Sequence, residues 1–264
     1  MTLSTPAGVH PLVAARDDEF REAYGFGIPV AMPAYGGASR GPWSLASRRG
    51  GVGEGYVSTN TVEAPYHVLR RDGVTWMSTA FLELESHAWH LHKARGLVAV
   101  AGLGMGLYAC AAAARPEVDE VVVAEVDADV IALFGLTADH APEVACKVRI
   151  VHGDAAGPAF ADALGGRRPD YLYADIWPTY PDPDAPGWTR GLVEGLRPHE
   201  AGWWGQEAAF AHRCLDGGID MDEAALGTFL NDVGVPCVVT GGYAAFCRDV
   251  ATAHGLVAEM PGPP

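Results

Sequence analysis

The sequence predicts an α/β protein with a Rossmann-like, nucleotide-binding core, and three observations carry that prediction. An apolar run, Leu97-Val98-Ala99-Val100, leads into a glycine turn with Gly102, Gly104 and Gly106 at alternate positions. An alanine-rich segment of high helix propensity, Leu107 to Ala114, follows the turn, and the next apolar run, Val121 to Ala124, ends in Glu125. Two later runs are also tipped by acids: Lys147 to Val151 leads to Asp154, and Asp170 to Ala174 leads to Asp175. Strand, glycine turn, helix and acid-tipped strand is the order of a nucleotide-binding βαβ unit. Open α/β sheets bind ligands at the carboxyl ends of their strands, so Glu125, Asp154 and Asp175 are expected on one rim with the turn.

Composition narrows the class. A chain of 264 residues with 49% hydrophobic and 19% charged residues is globular, long enough for one large domain or one domain plus an arm. No run of 18 apolar residues occurs, so no membrane partner is expected. The stretch from Met1 to Phe20 lacks the basic and apolar regions of a signal peptide. Five cysteines without a CxxC pair are expected as reduced thiols in a cytoplasmic protein. The net charge of −15 is unevenly placed: residues 1–95 carry 9 basic and 9 acidic side chains, residues 96–264 carry 9 and 24. So acidic a surface repels phosphate backbones, and no nucleic-acid partner is expected.

Residues 1–77 read as an N-terminal arm. Asp17 to Tyr24 suggests a short helix, and the Gly- and Pro-rich stretch from Gly25 to Ser44 suggests loops and short extended pieces. Glu54 to Leu69 is strand material, and Asp72-Gly73 is a turn signal between it and Val74 to Met77, which predicts a β-hairpin. Residues 78–264 read as the α/β domain with a helical C-terminal extension. Ser78 is a candidate cap for one helix running to Lys93, with His87, His90 and His92 near its end. No Asp or Cys nearby completes a ligand set for His87 and His90, so capping and surface roles are expected and no metal. Beyond Pro178, residues 187–232 read as helices, and Pro236 to Thr240 as the only late strand.

The glycine turn is G-x-G-x-G, and Leu107 stands where a dinucleotide fingerprint needs its third glycine, which argues against NAD. It resembles motif I of the class I S-adenosylmethionine-dependent methyltransferases. Within that superfamily the chain is similar to the spermidine-synthase-like branch and to bacterial and phage proteins with a D-I-W-P segment, here Asp175-Ile176-Trp177-Pro178. The resemblance covers Leu97 to Pro178 and departs from spermidine synthases twice. Met105 replaces the acid of their glycine turn, and Ile176-Trp177-Pro178 replaces the residues after the first acid of their D-S-S-D-P loop.

The resemblance implies a class I methyltransferase core, to which the residues themselves add an N-terminal β-hairpin arm and an atypical helical C-terminal region. It implies S-adenosylmethionine as cofactor, bound by Ala101, Gly102, Leu103, Gly104, Gly106, Glu125, Val126, Asp154, Ala155 and Asp175. Glu125 would accept the ribose hydroxyls. For Asp154, an adenine contact and a helix N-cap are both open. Asp175 is the candidate catalytic residue, and Trp177, Tyr180 and Trp76 are candidates for the substrate wall. The activity expected is methyl transfer to a small amine or polar metabolite, or to a protein side chain, with a homodimer as a candidate assembly. An aminopropyltransferase-like enzyme and a non-catalytic binding protein on a degenerate methyltransferase fold are the alternatives.

Overall fold

The computed structural model describes residues 9–139 and 141–256; the first eight residues, on which the signal-peptide expectation partly rests, lie outside them. Five parallel strands form the central sheet in the spatial order Val148–His152, Val118–Glu125, Gly96–Ala101, Tyr171–Ala174, Glu200–Trp203. Val98 to Ala101, Val121 to Val123 and Tyr171 to Ala174 are all buried, the continuous apolar pattern of parallel strands covered on both faces. Numbered in sequence order the strands lie 3-2-1-4-5, so the chain switches direction across the sheet beside Gly96–Ala101. Ligands bind in open α/β sheets at such a switch point. The α/β, Rossmann-like class expected from the sequence is the fold observed.

The late strand expected at Pro236 to Thr240 needs correction. The fifth strand is Glu200–Trp203, and it pairs parallel to Tyr171–Ala174. Its four residues include a glycine and no β-branched residue, so propensity carried only a weak signal. The segment at Pro236 instead runs alongside it, with the Ala201 N–H donating to the Pro236 carbonyl at 2.7 Å. Helices Ala185–Leu196, Gln206–Gly217, Glu223–Val233 and Tyr243–Ala253 make up the helical C-terminal region.

The N-terminal arm is more than a hairpin. Tyr66–Arg71 and Val74–Ser78 do pair antiparallel across Asp72-Gly73, whose φ angles of 50° and 81° suit the turn that matches strand twist. A second hairpin, Ala38–Arg40 with Trp43–Arg48, turns at Gly41-Pro42 and completes a four-stranded antiparallel sheet. Trp43 docks this sheet on the core: its indole N–H donates to Asp127 Oδ2 at 2.8 Å, and its ring meets Trp76 edge to face at 5.2 Å. The helix near the N-terminus spans Pro11–Tyr24, longer than the expected Asp17 to Tyr24. Phe20 and Tyr24 pack on Phe246, so the arm also covers helix Tyr243–Ala253.

The helix expected from Ser78 to Lys93 is two short helices, Phe81–Ser86 and Ala88–Lys93, joined at His87. Ser78 ends a strand, and the Glu63 carboxylate accepts the Phe81 N–H at 3.0 and 3.1 Å instead. His87 and His90 are buried, not on the surface. Their Nδ1 atoms meet Tyr173 Oη and Tyr171 Oη, each at 2.8 Å. Residues three apart on a helix lie on one face, as do residues two apart on a strand, and the two spacings match here.

Candidate functional site

The central strands end level with one another. Ala101 pairs with Ala124 and Ala174, and His152 pairs with Glu125. The residues at and after those ends, Gly102 to Gly104, Glu125 to Asp127, Gly153 to Ala155 and Asp175 to Trp177, therefore surround one cleft of about 330 Å³. The three acids that the sequence placed on one rim all line it.

The turn itself requires its glycines. Gly102, Gly104 and Gly106 have φ of 97°, 51° and 75°, conformations that residues with a Cβ rarely adopt. A Cβ on Gly102 would run into the Asp175 carbonyl oxygen, and one on Gly104 into Met77 Sδ. The close neighbours are thus parts of this chain. Gly106 lies off the cleft wall, against the Phe134 ring. Ala101 is also off the wall: it is buried in the sheet, and its carbonyl accepts the Asp175 N–H at 2.9 Å.

Glu125 braces the turn. Its Oε2 accepts the Leu103 N–H at 2.9 Å, and its Oε1 accepts the Asp127 N–H at 2.8 Å. Each oxygen retains further acceptor capacity, and the side chain lines the cleft. Asp154 does not cap a helix; Gly157 holds that position before Pro158–Leu164, while Asp154 Oδ1 accepts the Ala156 N–H at 2.9 Å. Asp154 stands exposed at the rim. Val126 and Ala155 complete this side of the wall.

On the opposite side Asp175 meets two residues that the sequence did not bring to it. One ligand atom each from Glu83, His87 and Asp175 lies within 4.8 Å of the others. Burial raises the Asp175 carboxyl to about 7, and burial together with the nearby Asp175 raises Glu83 well above the carboxylate range. Burial also lowers the His87 imidazole to about 3, which leaves it neutral. Glu83, one helical turn before His87, is the acid that the expectation of no nearby Asp or Cys does not cover. The i, i+4 spacing of the two was the available signal, but the acid that joins them lies far along the chain, just past the strand Tyr171–Ala174.

The substrate-wall candidates divide between two cavities. Trp177 lines the first, with its indole N–H donating to the Trp204 carbonyl at 3.1 Å. Tyr180 lines a second cavity, of about 910 Å³, against the N-terminal sheet. Trp76, Met77, Glu83 and Trp204 line both, so the two are adjacent. Arg48, Arg49 and Arg70 line only the second. Alternation explains two of them: Arg48 pairs with Tyr66, and Tyr66, Val68 and Arg70 recur at every second residue, all on the cavity.

No family model matches the chain, and no curated protein sequence matches it. Among solved structures, a probable spermidine synthase from Corynebacterium glutamicum is similar at 15% identity over 62% of this chain and 61% of its own, with a TM-score of 0.36. The spermidine synthase of Thermotoga maritima is 14% identical over 65% and 56%, also with a TM-score of 0.36. A bacterial methyltransferase domain is 12% identical over 52% and 74%, with a TM-score of 0.33. The chain thus spans about three fifths of the length of the two spermidine synthases. The strand order and the glycine turn at the switch point place the chain in the Rossmann-like α/β fold class.

Proposed function

We propose that the protein is an S-adenosylmethionine-dependent methyltransferase acting on a small amine or polar metabolite, or on a protein side chain. The observation that carries this reading is the makeup of the first cleft. Three strand-end acids and a glycine turn share its wall with Val126, Ile176 and Trp188, which are 71%, 41% and 57% exposed. Large apolar side chains left exposed in a concave site suit a planar, partly apolar ligand. The acids suit its hydroxyl and amino groups, so the residues present fit an adenosyl cofactor.

Glu125, already fixed by two backbone N–H groups, would hold the ribose, and Asp154 with Val126 and Ala155 would border the base. Bound there, the cofactor supplies an activated methyl group. The chain's own work is to align the acceptor and exclude water, because transfer from a sulfonium needs mainly positioning. Asp175 orients the acceptor and, where that is an ammonium, takes its proton; a carboxyl near neutrality suits this step. The adjoining second cavity provides the acceptor's approach. Aminopropyl transfer uses a related sulfonium, and product analysis separates it from methyl transfer.

Isothermal titration with S-adenosylmethionine, its demethylated product and NAD tests the reading. Micromolar binding of the first two and none of NAD is expected. Glu125→Ala, checked by circular dichroism because it also releases the turn, and Asp154→Ala should each weaken that binding. Absence of binding by both S-adenosylmethionine and its product in the wild type would overturn it.

A further inference from the structure

We propose that Glu83, His87 and Asp175 form a binding site for one first-row divalent cation, opening onto the first cleft. The three side chains come from a short helix, the kink after it and the end of the fourth central strand. The decisive atom is His87 Nε2. The side chain is 1% exposed, and among the described residues Nε2 has no hydrogen-bond partner although it lies close to the two carboxylates. A buried nitrogen without a partner costs free energy unless something occupies its lone-pair or N–H direction.

A direct hydrogen bond does not explain the arrangement. His87 Nε2 and Glu83 Oε1 are 3.7 Å apart, beyond hydrogen-bond range. That separation does match two ligands of one ion: with bonds of about 2.1 Å in a tetrahedron, neighbouring donor atoms lie about 3.4 Å apart. The wider limit of 4.8 Å for the whole set means that the carboxylates would swing inward by up to about 1.4 Å to coordinate one ion. A cation would also balance the negative charge of two carboxylates brought together in a desolvated place.

The support for the imidazole is already built. Tyr173 Oη lies 2.8 Å from His87 Nδ1 and fixes the ring, leaving Nε2 on the side of the acids. Metal-bound histidines are oriented in this way through their other nitrogen. One imidazole with two carboxylates suits Mn²⁺, Fe²⁺ or Zn²⁺ rather than a thiolate-seeking ion. Three protein ligands leave a position open, and Glu83 and Asp175 both line the cleft, so that position faces a bound molecule.

The test uses the full chain without S-adenosylmethionine, so it is independent of the cofactor reading. Mn²⁺ titration followed by pulsed electron paramagnetic resonance should show one tight site per chain, with coupling to a single imidazole nitrogen. Glu83→Gln and Asp175→Asn should each weaken that site roughly tenfold or more. His87→Gln should remove the nitrogen coupling. No saturable binding to the wild type would overturn the proposal, as would binding unchanged in both carboxylate variants, the result expected if Mn²⁺ only decorates the acidic surface. Should a variant fail to fold, the wild-type spectrum still decides: nitrogen coupling supports the site and an oxygen-only spectrum overturns it.

Discussion

The two cavities meet at Trp76, Met77, Glu83 and Trp204, yet they are built by different means. The first is made of strand ends and the turns that leave them, so its chemistry is carried by acids and by backbone held at positive φ. The second is walled by one face of an antiparallel sheet and closed by Tyr180 and His254, so its chemistry is carried by side chains that alternate along strands. A site of the first kind tolerates little change, because backbone geometry and contacts coincide there. A site of the second kind can change its side chains without disturbing the fold, which suits it to set acceptor preference.

The largest expected effect of breaking the first region comes from Asp175→Asn. Removing a group that orients and deprotonates the acceptor should lower turnover by about 10²-fold or more while S-adenosylmethionine still binds. Turnover assays and calorimetry on the same preparation check this; equal loss of both would make Asp175 a structural residue instead. Gly102→Ala comes next, since its Cβ would meet the Asp175 carbonyl oxygen at a φ of 97°. A loss of about 2 kcal/mol or more in denaturant unfolding is expected, with weakened cofactor binding.

Glu207 sharpens the comparison from below, because it is buried in the core and lines neither cavity. Burial raises it to about 7, although Tyr243 and Tyr56 donate to it at 2.7 and 3.0 Å. His90, which faces it at 3.8 Å, is held neutral by burial, and Cys237, Cys247, Tyr171, Tyr173 and Tyr180 are further titratable groups that feel its charge. A raised carboxyl keeps its proton in the folded chain where the unfolded chain has lost it. Its contribution to stability is therefore fully present below its ordinary value of 4.5, erodes above it, and is lost once pH has risen through about 7. Glu207→Gln should flatten that part of the stability profile between about pH 5 and about pH 8 in denaturant titrations; an unchanged slope would refute the assignment.

The smallest effect is expected where the second region docks on the first. Trp43→Phe removes the indole hydrogen bond to Asp127 and should cost about 1 kcal/mol in denaturant unfolding. Because Asp127 caps the helix Ala128–Thr137 through the Asp129 N–H, the helix itself should persist by circular dichroism.

The sequence by itself determined the parallel core and the rim. The run from Leu97 to Glu125 contains strand, turn, helix and strand within one contiguous stretch, and parallel register brings the later acids to the same edge without further information. It also determined the hairpin at Asp72-Gly73, because that turn needs two positive φ angles and its residues supply them. Only the tertiary structure decided the rest. Glu200–Trp203 becomes a strand because the open edge of the sheet offers its backbone partners, despite weak propensity. His87 and His90 leave the surface because Tyr173 and Tyr171 meet them, and Glu83 joins Asp175 only when that packing is complete. Local periodicity reports what a residue's neighbours in sequence require; it carries nothing about a partner supplied by a distant strand.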